Sequence, residues 1–99
     1  MRIEYNDGDA EVSLIGELTF SDHAAFRAML TRAMRSQRQK IVLDLSRLDF
    51  VDSAGLGMLL IARDEAGKSS RSLSLARPQK QVERVFAVTK FETLFTIER

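Results

Sequence analysis

The sequence predicts an α/β domain, a mixed and mostly parallel sheet of four to five strands that opens with an antiparallel hairpin and carries helices packed on it. Three observations lead there. Residues 1–19 alternate apolar and polar around a tight turn. After residue 20, helical and strand periodicities alternate, the pattern of strands joined by crossover helices. Ile41-Val42-Leu43 is a continuous run of branched residues, as a strand covered on both faces requires. The 99 residues, 44% hydrophobic and 29% charged, suffice for one core without staples, and the chain reads as a single domain, 1–99.

Taken in order, Ile3 and Tyr5 alternate with Arg2, Glu4 and Asn6 as a half-buried first strand. Asn6-Asp7-Gly8-Asp9 is a turn signal, so the second strand, with Val12, Leu14 and Gly16, pairs antiparallel to the first and ends at Gly16-Glu17-Leu18-Thr19. Ser21 is an N-cap for the first helix, with Asp22 in its first turn. Phe26, Leu30, Ala33 and Met34 define the buried face of that helix; Arg27, Thr31, Arg32 and Arg35 face outward. It stops near Ser36 to Gln39. Strand three runs from Lys40 to Leu45. A second helix follows Ser53, with Gly67 as its C-cap and Lys68 to Arg71 as a polar loop. Ser72-Leu73-Ser74-Leu75 is strand four, and Pro78 marks the start of a third helix. Val82, Val85, Phe86 and Thr89 share a face of this helix. Phe91, Leu94 and Phe95 pin the tail to the core, and Thr96-Ile97 adds a short edge strand.

Composition excludes several kinds of chemistry. There are no cysteines, so disulfides, thiolate chemistry and cysteine-ligated zinc are ruled out, and a reducing cytoplasm is compatible. No window approaches 18 apolar residues, so neither a membrane span nor a secretory signal is visible. The net charge of +1 is far from that of a nucleic-acid binder. The local cations Arg32, Arg35, Arg38 and Lys40 either complement the negative end of a helix or form a docking patch for an acidic partner. The single histidine, His23, has no sequence link to a serine and reads as a solvent-facing helix residue. Carboxylates are scattered, and Gly55-x-Gly57 lacks the third glycine or lysine of a phosphate-binding loop. No catalytic residue, metal ligand or cofactor is expected.

One stretch organises the rest. Asp52-Ser53-Ala54-Gly55 joins an apolar strand region to an apolar helix, two capping residues followed by small ones. Ser53 therefore sits in or beside a first helical turn, where unpaired N–H groups and the helix dipole favour negative charge. It is physically suited to carry a phosphate. Asp52 caps the helix, or else it positions the Ser53 hydroxyl. Leu56, Met58, Leu59, Leu60, Ile61 and Ala62 leave almost no polar face for two turns. Either Met58 and its neighbours form an exposed apolar patch, with Met58 the residue best placed to face outward, or flanking helices cover them all. Asp44 ties the end of strand three to a neighbouring loop.

Leu45-Ser46, Leu48, Phe50-Val51 and Asp52-Ser53-Ala54-Gly55-Leu56-Gly57 together resemble the signature of the STAS domain, and more narrowly that of bacterial anti-sigma factor antagonists. Gly16-Glu17-Leu18-Thr19 and the segment from Val82 to Ile97 fit the same pattern. The resemblance implies a STAS-like fold and a non-enzymatic, phosphorylation-switched protein-binding module. It implies that Ser53 is phosphorylated and that Asp52, Ser53, Ala54, Gly55, Leu56, Gly57 and Met58 meet the partner. That partner would be an anti-sigma factor or serine kinase of the histidine-kinase-like ATPase class, with a metal-dependent serine phosphatase reversing the modification, in the cytoplasm. Other STAS partners, a lipid-transport complex or a diguanylate cyclase, are the alternative. Thr19 stands where the family often has aspartate, which puts one contact in doubt. Ala54, in place of a second serine, leaves Ser53 as the single hydroxyl at the motif.

Overall fold

The computed structural model describes every residue except Asp7. The strands are β1 (Arg2–Asn6), β2 (Glu11–Leu18), β3 (Lys40–Asp44), β4 (Leu48–Val51), β5 (Ser72–Ala76) and β6 (Thr96–Glu98). The helices are α1 (His23–Met34), α2 (Ser53–Lys68) and α3 (Lys80–Thr89), with single 3-10 turns at Phe20–Asp22 and Phe91–Thr93.

β1 pairs antiparallel with β2, from Arg2 opposite Ile15 to Asn6 opposite Glu11, so the expected hairpin is present. Its expected turn includes Asp7, which lies outside the described residues. All other pairings are parallel, in the order β1-β2-β3-β5-β6. Parallel neighbours need crossovers; α1 supplies one between β2 and β3, α2 between β4 and β5, and α3 between β5 and β6.

β4 adds a strand that the sequence reading left unassigned, bringing the sheet to six. β2 is long enough to serve two partners on one side. Its first half pairs with β3 at Glu11–Ser13, and its second half pairs with β4 at Gly16–Leu18. The register shifts between Gly16 and Glu17, where Gly16 has φ +93, a conformation that a side chain disfavours. Between β3 and β4 the chain turns at Leu45–Arg47, and the Gly16 N–H donates to the Arg47 carbonyl at 3.0 Å. The free edge of β4 is closed by a side chain. Gln81 of α3 accepts from the Val51 N–H at 3.0 Å and donates to the Val51 carbonyl at 3.1 Å, as a neighbouring strand would.

Val12, Leu14, Leu18, Ile41, Leu43, Leu45, Leu48 and Leu75 are fully buried, which is why β2, β3 and β5 read as apolar runs. Met29 joins Phe26, Leu30 and Ala33 on the buried face of α1, and Met34 is only half-buried. Phe86, Phe91 and Phe95 stack with ring centroids 5.2 and 5.1 Å apart and pin the tail as expected. Exposed Leu94 takes no part in that packing.

Helix boundaries differ from the sequence reading. α1 starts at His23 rather than after Ser21, because Phe20–Asp22 winds as a 3-10 turn first. α2 runs through Gly67 to Lys68 and is capped at Ser69, since that glycine keeps helical geometry. α3 begins at Lys80, two residues beyond the buried Pro78, because Gln79 is still extended. Of the four local cations, Arg32 is committed within the domain to Asp9 at 3.1 Å and to the face of Tyr5, and Lys40 pairs with Glu98.

Asp44 does tie the end of β3 to a loop. Its carboxylate accepts from the Ser46 N–H at 3.0 Å and the Ser13 hydroxyl at 3.3 Å, and it pairs with Arg77 at 3.3 Å. Burial pushes this carboxyl up, but the Ser46 hydrogen bond and the Arg77 guanidinium outweigh it and hold the pKa below the ordinary 3.8. A carboxyl with a depressed folded pKa contributes stability that is present above its unfolded value and lost as pH falls through the folded one. Wild-type Tm is therefore expected to exceed that of Asp44→Asn at neutral pH, and the gap to close on acidification below 3.8. Melting curves from neutral to strongly acidic pH test this; two parallel profiles would refute it.

Candidate functional site

Ser53 is the first residue of α2, and its side chain is exposed. It is there because Asp52, in an extended conformation, terminates β4 and caps the helix. One Asp52 carboxylate oxygen accepts from the Gly55 N–H at 2.7 Å. The other accepts from the Phe20 N–H at 3.2 Å, across 32 residues of chain. Asp52 thus couples the start of α2 to the loop after β2 in addition to capping. The N–H groups of Ser53 and Ala54 have no acceptor among the described residues, and neither does the Ser53 hydroxyl. Free donors at the positive end of a 16-residue helix sit beside a free hydroxyl, the physical requirement for holding an added anion.

Gly55 is buried and explains how β2 and α2 meet. A Cβ at this position would lie 2.4 Å from the Leu18 carbonyl oxygen and 2.6 Å from Val51 Cγ2. The helix start therefore rests directly on the end of β2. At Gly57 a Cβ would meet nothing within 4 Å. The two glycines of the motif have different uses, one for close packing and one for open space.

Thr19, the departure from the family pattern, begins the 3-10 turn. Its N–H donates to Asp22 at 2.8 Å and its hydroxyl to the same oxygen at 3.2 Å. The carboxylate at this corner is supplied three residues later. The turn holds Phe20 outward, where the side chain is 78% exposed.

Next to Ser53, the first turns of α1 and α2 enclose an apolar groove of about 280 Å³, lined by Phe20, His23, Ala54, Gly57, Met58 and Ile61. Met58 is only 5% exposed, so the outward orientation expected for it is not found. α1 packs over it, with Phe26, Arg27 and Leu30 around Met58 and Ile61. A helix apolar all round has a neighbour on one side here, which removes Met58 from the surface and leaves Ile61 at 44% exposure. Of the seven residues expected at the partner surface, Ser53 is exposed, Asp52, Ala54, Leu56 and Gly57 are half-buried, and Gly55 and Met58 are buried. Phe20 is the apolar side chain that sequence reasoning did not place at this surface, whereas Ile61 belonged to the apolar run but Met58 was the residue expected to face outward. For Phe20 a signal existed: it lies off the Phe26, Leu30, Ala33 stripe of α1, so no buried helical face claimed it.

His23 is exposed at the start of α1, on the groove wall. Among the described residues, no group of three or more His, Asp or Glu side chains gathers as metal ligands would. No helix is long and apolar enough to cross a membrane.

Comparison with known proteins agrees with this fold. The family model described as "Mlab, STAS domain" matches residues 1–96. A STAS-domain containing protein of Pseudomonas aeruginosa is 36% identical over 86 residues, covering 87% of this chain and 84% of that one. BtrV of Bordetella bronchiseptica, named as an anti-sigma factor antagonist, is 28% identical over 91 residues, 92% of this chain and 78% of its own length. A crystal structure from Thermotoga maritima, also described as an anti-sigma factor antagonist, superposes with a TM-score of 0.78 at 25% identity, covering 99% of this chain and 85% of that one.

Proposed function

Because this chain belongs to the STAS domain family, we propose that it acts as an anti-sigma factor antagonist, a binding module whose partner surface is switched by phosphorylation of Ser53. Unmodified, it holds an anti-sigma factor or a serine kinase of the histidine-kinase-like ATPase class, in the cytoplasm. Phosphate on Ser53 releases that partner, and a metal-dependent serine phosphatase resets the module.

The observation that carries this reading is the exposed Ser53 hydroxyl at a capped helix start, with free N–H groups beside it and an apolar groove adjoining. The mechanism is a change of charge. A phosphate adds about −1.5 to −2 charges at pH 7. Within the domain, the Ser53 and Ala54 N–H groups and the helix dipole accommodate it. Against an apolar partner seated on Phe20 and Ile61 the same charge loses its water without gaining a counter-charge, so the complex dissociates while the fold persists.

Site assignment is tested by incubating the protein with the cognate kinase and ATP. One residue, Ser53, is expected to be labelled, and Ser53→Ala abolishes the signal. Phosphate on Ser46 or Ser21 instead would overturn the assignment. If a lipid-transport subunit or a diguanylate cyclase is retained by the purified protein while an anti-sigma kinase is not, the family reading stands and the partner changes.

The groove gives a separate prediction. Phe20→Ala removes an exposed aromatic, so its Tm stays near wild type, while partner affinity falls about fivefold, ~1 kcal/mol. Met58→Glu is not the corresponding probe, since it buries a charge under α1 and unfolds the protein. Unchanged affinity in Phe20→Ala and in Ile61→Asp would place the interface elsewhere.

A further inference from the structure

One further cleft among the described residues is not at Ser53. It lies at the other end of α2, about 22 Å along the helix axis, and has a volume of about 670 Å³. Its walls come from the last turns of α2 (Arg63, Asp64, Gly67, Lys68), the loop into β5 (Arg71 to Leu73), and the segment Leu94 to Thr96. Three cations face one carboxylate, Asp64. Lys68 is partly committed to Glu65 at 3.5 Å, whereas neither Arg63 nor Arg71 forms an ion pair with a described residue. One guanidinium nitrogen of Arg71, Nη1, is buried with no hydrogen-bond partner among the described residues. Such a donor carries a desolvation penalty that an acceptor would relieve.

Cations at a helix C-terminus ordinarily complement its dipole, and this accounts for Lys68. It does not account for Arg63, five residues before the end, or for Arg71, three residues past it. Beside these charges is an apolar wall of Leu73, Phe95 and Leu94, and Leu94 is 40% exposed. A cationic rim beside exposed Leu94, with Leu73 and Phe95 buried behind it, fits neither a purely ionic nor a purely apolar ligand.

We infer that this cavity binds a small organic anion, with a phosphate or carboxylate at Arg63 and Arg71 and a short apolar portion against Leu73, Leu94 and Phe95. Arginine suits both headgroups through its paired donors. The cleft is broadly open to solvent, with room for a small ligand laid along its wall. The site shares no residue with the Ser53 surface, so it stands or falls independently of the partner switch.

The experiment is an amide and arginine side-chain NMR titration of the whole chain with hexyl phosphate and with hexanoate, using inorganic phosphate and hexanol as single-feature controls. Saturable shifts are expected at residues 67–73 and 94–96 and at the Arg71 side chain, with at least one amphiphile binding about tenfold or more tightly than either control. Arg71→Met is expected to weaken binding about tenfold. Arg63→Met, at an exposed helical position, does the same with no risk to the fold and keeps the test valid if Arg71→Met is unstable. Shifts confined to other residues, equal affinity for inorganic phosphate, or binding unaffected by Arg63→Met would each overturn the assignment.

Discussion

Replacing Ser53 by aspartate is expected to leave the melting temperature within about 5 °C of wild type while weakening the partner complex at least roughly tenfold, about 1.4 kcal/mol. The two halves of this expectation have different causes. An acidic residue in the first turn of a helix is neutral to stabilising by roughly 0.3–1 kcal/mol. Here that gain is opposed by the neighbouring Asp52 carboxylate, which is already occupied by the Gly55 and Phe20 N–H groups, so the net effect on stability is small. At the interface, a buried charge without a counter-charge costs several kcal/mol. Phosphoserine, with up to twice the charge, should dissociate the complex more completely than aspartate. Ser53→Ala should bind as wild type and lose regulation. Calorimetric titration with the purified partner separates the outcomes. Full binding by both Ser53→Asp and the phosphorylated protein would refute the switch. Release by the phosphorylated form alone would leave it intact and show that one charge is insufficient.

The second large effect concerns the fold beneath the site. Gly55→Ala is expected to destabilise the protein by about 2 kcal/mol or more, roughly 10 °C in Tm. Its methyl would overlap the Leu18 carbonyl at 2.4 Å and Val51 Cγ2 at 2.6 Å. The nearer of these is backbone at the end of a central strand, which cannot move aside as a flexible side chain can. In a helix, alanine instead of glycine ordinarily gains about 1 kcal/mol, so the clash must exceed that gain for the sign to be as stated. Gly57→Ala is the control. With nothing within 4 Å of its added methyl, it should raise stability by about 0.5–1 kcal/mol. Thermal or urea unfolding of the pair tests the contrast, and equal Tm values would mean that α2 does not rest on β2 as described. The Gly57 variant also narrows the groove beside Ala54, so a stabilised Gly57→Ala protein with weaker partner binding would support the same surface as Phe20→Ala.

Much of this protein is local, and what is local was legible. The hairpin, the parallel β3 and β5, and the buried stripe of α1 follow from apolar periodicity, which depends only on side-chain spacing. The start of α2 followed from Asp52-Ser53, because a cap is a contact made within three residues. The β6 edge strand and the aromatic tail followed in the same way.

Tertiary structure decided the features that depend on residues far apart in the chain. β4 has only four residues, two of them outward-facing, so its composition carries no strand signal; it is a strand because the far half of β2 lies free beside it and Gln81 closes its edge. Gly55 and Gly57 look alike in sequence, and only the position of β2 makes one indispensable and leaves the other open. Met58 belongs to a run apolar on every side, and periodicity cannot assign a face to such a run; the packing of α1 buries Met58 and leaves Ile61 outside. Phe20 became a surface feature because Asp52, 32 residues away, holds its backbone. Sequence determined where Ser53, the serine proposed to carry the phosphate, would sit. Only the approach of β2 and α1 to α2 determined which apolar side chains surround it, since that depends on how separate elements share one core.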